Sequence, residues 1–347
     1  MLAPAPPPPR SPWQRFYSGV LARRAARLAR AADRLPVPVI SIGNLAWGGA
    51  GKTPFTRALA EGLVDRGRRV AILSRGYGRT STGPLFVCRG EGPEVELDRA
   101  GDEPFELARA LPDVPIVVAE LRIEGGRLAL AELRPRPDLF LLDDGFSHAA
   151  LARDIDLLLF PAADPWSRGR LLPSGRLREP LAAAARADAA ILTSASEEAD
   201  GTELAAALRP YGFRGEGFAS ATEVEGARRV DGEPLAAGTP VYAVAAIARP
   251  ESFFAAARAA SLRLVGTESL RDHASYPDAR VRAIDSAARA AGAAAVLTTG
   301  KDRAKLEGRL ALPLATLPIV ARPEERFWSW LEQRLEALDG SRAGERG

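Results

Sequence analysis

The sequence predicts an α/β fold in two parts: a larger domain on a mostly parallel sheet, and a smaller α/β domain joined to it by a β-hairpin hinge. Three observations carry that expectation. Short apolar runs alternate with helical stretches over most of the 347 residues, the pattern of parallel strands covered on both faces. One such run, residues 37–42, leads into the glycine-rich stretch Gly48-Gly49-Ala50-Gly51-Lys52-Thr53. The alternation breaks between residues 215 and 235, around Asp231-Gly232, where the composition signals a hairpin.

Composition bounds the remaining possibilities. The length suits two domains of ordinary size, and 46% hydrophobic against 26% charged residues marks a globular chain able to bury a core. A single cysteine, Cys88, excludes an internal disulfide framework and fits a reducing compartment, with the thiol expected in the core. No apolar run approaches the length of a membrane span, and the N-terminus lacks the apolar centre of a signal peptide. The expected location is cytoplasmic, with neither nucleic acid nor an obligate protein partner.

Taken in order, residues 1–35 read as a Pro-rich disordered tail followed by a basic amphipathic helix. Trp13, Phe16, Tyr17, Val20 and Leu21 fall on one helical face, with Arg10, Arg15, Arg23, Arg24, Arg27 and Arg30 around it. Such a helix either lies on an anionic membrane surface or docks on the first domain. Residues 36–214 form the first domain, with strands expected at 37–42, 69–74, 114–119, 139–142, 155–160 and 189–193, and a helix opening after Pro54. Residues 215–236 are the two-stranded hinge. Residues 237–347 form the smaller domain, with strands at 241–247, 262–266, 294–298 and 317–320 and a closing helix over 324–338 that carries Phe327, Trp328 and Trp330.

The chemistry begins at the glycine-rich stretch. A strand that runs into glycines and Gly-Lys-Thr, and then opens a helix, cradles nucleotide phosphates: backbone N–H groups turn inward, Lys52 reaches the β/γ-phosphates and Thr53 can ligate Mg²⁺. The first domain is therefore P-loop NTPase-like and binds ATP or GTP, although Ala46 stands where the strict pattern has glycine. Among 47 basic residues, lysine occurs only at Lys52, Lys301 and Lys305. A compact ammonium in an arginine-dominated chain suits insertion between phosphates. Downstream, the apolar strand 139–142 ends in Asp143-Asp144, where a carboxylate at a strand's end holds Mg²⁺ beside such a loop. Asp102-Glu103 at a helix start supplies a candidate base for an alcohol's proton. The two histidines, His148 and His273, fall beside the carboxylate pair and in the second domain.

Together these segments resemble the tetraacyldisaccharide 4′-kinases of lipid A biosynthesis. The resemblance rests on Ser41-Ile42-Gly43-Asn44-Leu45 leading into the glycine loop, Leu73-Ser74-Arg75-Gly76-Tyr77-Gly78-Arg79, Gly101-Asp102-Glu103-Pro104, Asp143-Asp144-Gly145-Phe146, Gly169-Arg170-Leu171-Leu172-Pro173 with Leu177-Arg178-Glu179-Pro180, Asp272-His273, and Thr298-Thr299-Gly300-Lys301-Asp302. It implies an ATP- and Mg²⁺-dependent enzyme that phosphorylates the 4′-hydroxyl of a tetraacyldisaccharide 1-phosphate at the inner face of the cytoplasmic membrane, among anionic phospholipids. It further implies that the lipid enters an interdomain cleft. In that reading Asp102 is the general base, His273 its partner and Lys52 a catalytic cation. Gly48, Gly49, Ala50, Gly51, Lys52 and Thr53 bind ATP; Thr53, Glu103, Asp143 and Asp144 manage Mg²⁺, the contacting member of the aspartate pair left open. Asn44, Arg75, Tyr77, Arg122, Arg178 and Glu179 meet the substrate. The sequence departs from the family pattern at Leu121, Ser147, Ala274 and Gly300.

Two other classes remain as contrasts. A P-loop GTPase or ATPase switch, such as a metallochaperone, is disfavoured because Lys301-Asp302 lacks the spacing of a guanine-reading motif and the chain has only one Cys and two His. A non-enzymatic membrane module leaves the nucleotide-binding pattern unexplained.

Overall fold

A computed structural model describes residues 31–344 except 197, together with residues 2, 4–7, 19, 20, 23 and 27. Of the amphipathic helix expected near the N-terminus, only Gly19, Val20, Arg23 and Arg27 are among these residues, helical and exposed; the rest of it lies outside them. No helix among the described residues is long and apolar enough to cross a membrane.

The chain divides into two units, residues 1–222 with 321–347, and residues 223–320. The first is built on nine strands: β1 (Val39–Gly43), β2 (Val70–Ser74), β3 (Leu85–Cys88), β4 (Ile116–Val118), β5 (Leu139–Leu142), β6 (Ile155–Pro161), β7 (Ala189–Ala195), β8 (Glu216–Val224) and β14 (Ile319–Pro323). Their order is β14-β8-β7-β6-β1-β5-β2-β4-β3. Every pair from β8 to β4 is parallel, and β3 pairs antiparallel with β4. All residues of β1, β2 and β5 are buried, as expected of strands covered on both faces.

Alternation along those strands sorts the core. Ile40, Ile72, Leu139 and Leu141 pack on one face with Phe55 and Leu59 of the helix Lys52–Asp65. Val39, Leu73, Phe140 and Leu142 pack on the other with Ile123 and Ala129 of the helix Arg122–Glu132. Cys88 is a free, fully buried core thiol.

The last helix, Glu325–Gly344, falls in the first unit rather than in the smaller domain expected to contain it. Phe327 lies edge-on to Phe55 and Phe218, with ring centroids 5.7 and 5.5 Å apart. Gly62 permits the approach: a Cβ there would fall 2.2 Å from the Trp328 ring. Aromatic burial in the large sheet's core outweighs proximity in sequence.

The second unit contains β9 (Arg228–Arg229), β10 (Pro240–Ala245), β11 (Arg263–Ser269), β12 (Ala295–Thr298) and β13 (Leu314–Thr316). They form a sheet in the order β11-β10-β12-β13-β9, parallel except for β13–β9. The turn read at Asp231-Gly232 is present, with Gly232 at φ 96° and its N–H donating to the Arg229 carbonyl at 2.9 Å. The strands flanking this region are shared out: β8 pairs with β7 in the first sheet, while β9 extends the second.

Candidate active site

The first site is built at the carboxyl ends of β1 and β5, neighbours at the centre of the large sheet. After β1 the chain turns through Gly48, Gly49 and Gly51, at φ 84°, 38° and 70°, conformations that side chains with a Cβ rarely adopt. Gly51 opens the helix Lys52–Asp65, and no side chain caps it, so its first N–H groups face outward with the positive end of the helix dipole. The loop is braced from both sides. The Trp47 N–H donates to the Arg176 carbonyl at 2.7 Å, and the Thr193 hydroxyl at the end of β7 donates to the Ala50 carbonyl at 2.9 Å. Thr193 is a supporting residue that no local motif in the sequence marks.

Charges from distant segments converge on this loop. Lys52 Nζ donates to Asn44 Oδ1 at 3.1 Å and lies 3.6 Å from Asp144 Oδ1. Arg178 grips Asp144 through two nitrogens at 3.0 and 2.9 Å and also donates to Asn44 Oδ1 at 2.9 Å. Burial would raise the Asp144 carboxyl, but Lys52, Arg178 and Arg122 together hold it well below the usual carboxylate range. Asp143 behaves in the opposite way. Burial, reinforced by the neighbouring Glu103 and Asp144, pushes it up to about 7 against the pull of Lys52 and a 3.1 Å hydrogen bond from Ser74 Oγ. Adjacent in sequence, the two aspartates differ because the strand-end turn, with Asp144 at φ 47°, aims one at the cations and the other into the protein.

Around this pair stand the remaining expected residues of the first unit. Arg75 is exposed, Tyr77 is 65% exposed, and Gly76 and Gly101 lie so close that a Cβ on Gly101 would meet the Tyr77 carbonyl at 3.0 Å. That contact places Arg75 and Tyr77 beside the helix Asp102–Ala110, whose first turn carries Asp102 and Glu103. Arg122 is buried; burial and the neighbouring Arg75 push it down to about 10. It faces His148 Nδ1 at 3.4 Å, and His148 is itself pushed down to about 4 by burial and by Arg122, Arg153 and Arg75. Glu179 accepts from Ser147 Oγ at 2.7 Å and pairs with Arg186 at 2.9 Å. Ser147 is thus engaged where the family pattern has another residue.

His273 belongs to the second unit, in a turn after β11 at φ 60°. Its Nε2 lies 3.1 Å from Lys301 Nζ, a contact between residues 28 positions apart that the sequence does not announce. Among the described residues, no three His, Cys, Asp or Glu side chains converge into a closed metal cage. Mg²⁺ in phosphoryl-transfer sites takes one or two carboxylates plus phosphate oxygens, and the donors at this strand end are of that kind.

The chain as a whole is similar to proteins of one family. The family model described as tetraacyldisaccharide-1-P 4′-kinase matches residues 11–336. The chain is 40% identical over 320 residues to the tetraacyldisaccharide 4′-kinase of Geobacter sulfurreducens, spanning 89% of this chain and 87% of that protein. It is 38% identical over 320 residues to the enzyme of the same name from Anaeromyxobacter sp. strain K, spanning 90% and 84%. A crystal structure of an "apo" form of LpxK from Aquifex aeolicus in complex with ATP superposes with a TM-score of 0.72 at 31% identity, covering 94% of this chain and 97% of that one. The chain belongs to the tetraacyldisaccharide-1-P 4′-kinase family.

Proposed function

We propose that the strand-end cluster of the first unit binds ATP and directs its γ-phosphate to the 4′-hydroxyl of a tetraacyldisaccharide 1-phosphate, giving the 1,4′-bisphosphorylated lipid of lipid A biosynthesis. One observation carries the reading. Lys52, at the head of an uncapped helix, shares Asn44 and Asp144 with Arg178, so a glycine loop, two cations and a carboxylate meet at one strand end. Such an arrangement has little covalent chemistry of its own and works by positioning and electrostatics.

The backbone N–H groups of Gly48, Gly49, Ala50, Gly51 and Lys52 cradle the phosphates, and the Lys52 ammonium lies against the β/γ oxygens. As the sugar oxygen bonds to the γ-phosphorus, the bond from that phosphorus to the β–γ bridging oxygen breaks and ADP leaves with the electron pair. Asp102 takes the hydroxyl proton, with His273 as its partner. Arg75, Arg122 and Arg178 offset negative charge on the transferring group and the substrate's phosphate, while Asn44, Tyr77 and Glu179 orient the substrate. Thr53, Glu103, Asp143 and Asp144 form the Mg²⁺ donor set. Asp144 is already gripped by Arg178, whereas the raised Asp143 lacks a full counter-charge, so Asp143 with the Thr53 hydroxyl is the pair that gains from the ion. When bound there, Mg²⁺ neutralises charge on the β- and γ-oxygens.

A glycolipid acceptor at the inner membrane face fits Trp47, Tyr77 and Leu121, which are 60%, 65% and 49% exposed in the loops bordering the site. Anionic phospholipid would meet the arginines of residues 10–30. The test is incubation with ATP, Mg²⁺ and the tetraacyldisaccharide 1-phosphate, followed by mass spectrometry of the lipid. A product heavier by one phosphoryl group, located at the 4′ position, is expected. ATP hydrolysis with the lipid unchanged would favour the ATPase-switch reading instead.

A further inference from the structure

The second unit has an organised strand end of its own. In the order β11-β10-β12-β13 the chain leaves β10 to one side for β11 and then crosses to the other side for β12. The topological switch point, where open α/β sheets receive ligands beyond the carboxyl ends of their strands, therefore lies at β10 and β12. Three loops meet there and are tied together. The Leu270 N–H donates to the Ala245 carbonyl at 2.9 Å, and the Ala246 N–H donates to Asp302 Oδ2 at 2.8 Å. The Thr299 hydroxyl donates to the same carboxylate oxygen at 2.9 Å. Asp302 is fully buried; it fixes the start of the helix Gly300–Leu306, and with it the position of Lys301.

Lys301 is 9% exposed and reaches two residues of the neighbouring loop: Asp272 Oδ1 at 2.7 Å and His273 Nε2 at 3.1 Å. An ammonium has three donors and no lone pair. The imidazole nitrogen it touches must accept, so His273 carries its proton on Nδ1. Asp272 does not compete for that ring, since its oxygen lies 3.9 Å from Nε2, beyond hydrogen-bonding distance; its role is to neutralise the buried ammonium. The turn that carries the ring puts His273 at φ 60°, an uncommon conformation for a residue with a Cβ. Residue choice agrees with this geometry. Of 47 basic residues only three are lysines: one is Lys52, and Lys305, which donates to the Ala274 carbonyl at 3.4 Å, buttresses the same loop as Lys301. A point donor aimed at one ring nitrogen while paired to a carboxylate is a task for an ammonium rather than for a planar fork.

We propose that Lys301 is a positioning residue that holds His273 as the neutral, Nδ1-protonated tautomer for phosphoryl transfer. The proposal deepens the reading of His273 given above and rests on it. With Nε2 accepting from Lys301, the proton of the neutral ring lies on Nδ1. The network orients the ring in the way outer-shell groups orient metal-bound histidines, where their loss costs roughly 10–100-fold.

Because the chain has only two histidines, imidazole ¹⁵N NMR of the full-length protein labelled at histidine tests this directly, with signals assigned by His273→Ala. At about pH 8.5, above the ordinary histidine range, wild-type His273 is expected as the Nδ1–H tautomer, and Lys301→Met should move it to the Nε2–H tautomer that neutral imidazoles prefer in water. The same variant should lower kcat roughly 10–100-fold with KM for ATP unchanged. A wild-type His273 protonated on Nε2 overturns the proposal, and that spectrum decides even if Lys301→Met does not fold. Retention of the Nδ1–H tautomer in Lys301→Met also overturns it. A tautomer switch with kcat unchanged overturns the assignment of His273 to turnover while leaving Lys301's hold on the ring intact.

Discussion

The strand ends of the two sheets occupy the same place in their respective folds and are organised by opposite means. After β1 the loop is shaped by backbone, with three glycines at positive φ, and its polar groups are main-chain N–H donors. After β11 and β12 the loops are shaped by side chains, through Asp302 bound to Ala246 and Lys301 bound to Asp272 and His273. The first also concentrates charge. Lys52, Arg122 and Arg178 face Glu103, Asp143 and Asp144: burial with the neighbouring carboxylates raises Asp143 to about 7, while the cations hold Asp144 far down. The second neutralises its charges locally and leaves one imidazole in a defined state. A backbone cradle suits an anionic group of many oxygens; a single oriented ring suits one proton.

Removing the cation of the first site should have the largest effect. Lys52→Ala is expected to reduce kcat by at least about 10²–10³-fold, the loss of one preorganised charge facing the transferring group, and the folded protein should persist because Lys52 opens a helix at the protein's surface rather than filling the core. Normal kcat in a folded Lys52→Ala protein, measured by phosphate transfer from ATP, would remove the first site from the chemistry. A structural substitution sharpens the same contrast. Phe327→Ala should destabilise the protein by about 3–5 kcal/mol in denaturant unfolding, since its ring fills the core against Phe55 and Phe218, while kcat per folded molecule stays close to normal. An unfolding midpoint unchanged by Phe327→Ala would detach the last helix from the first unit.

The smallest effect expected is on pH dependence. His148 is held down to about 4 by burial and by Arg122, Arg153 and Arg75, below the ordinary value near 6.5. The unfolded chain therefore binds a proton between about pH 6.5 and 4 that the folded chain refuses, and stability from this group falls as pH drops through that window. An NMR titration should place the His148 midpoint near 4, and His148→Asn should flatten that part of the stability profile. A midpoint near 6.5 would mean that the ring is not confined among the arginines.

Legibility in the sequence followed the spacing of contacts. The glycine loop and Asp143-Asp144 are contiguous stretches whose chemistry is local, so the residues alone disclose them. Arg122, Arg178 and Tyr77 entered only through family resemblance, because their meaning depends on folding distant segments onto one strand end. Three features stayed hidden. The edge strand Leu85–Cys88 is too short for periodicity to mark it. The last helix announces an apolar face but not the sheet that covers it. The contact between Lys301 and His273 joins two strand ends, and the scarcity of lysine was its only trace in the sequence.

The proposed pairing of Asp102 as the base with His273 as its partner is tested most directly by a double-variant cycle on the two residues. Asp102→Asn alone should lower kcat about 10²–10⁴-fold with ATP binding largely retained. Residues that act as a unit are non-additive, so Asp102→Asn combined with His273→Ala should be scarcely slower than the more damaged single variant. Losses that multiply in full in the double variant would contradict the account and assign the two residues to independent tasks.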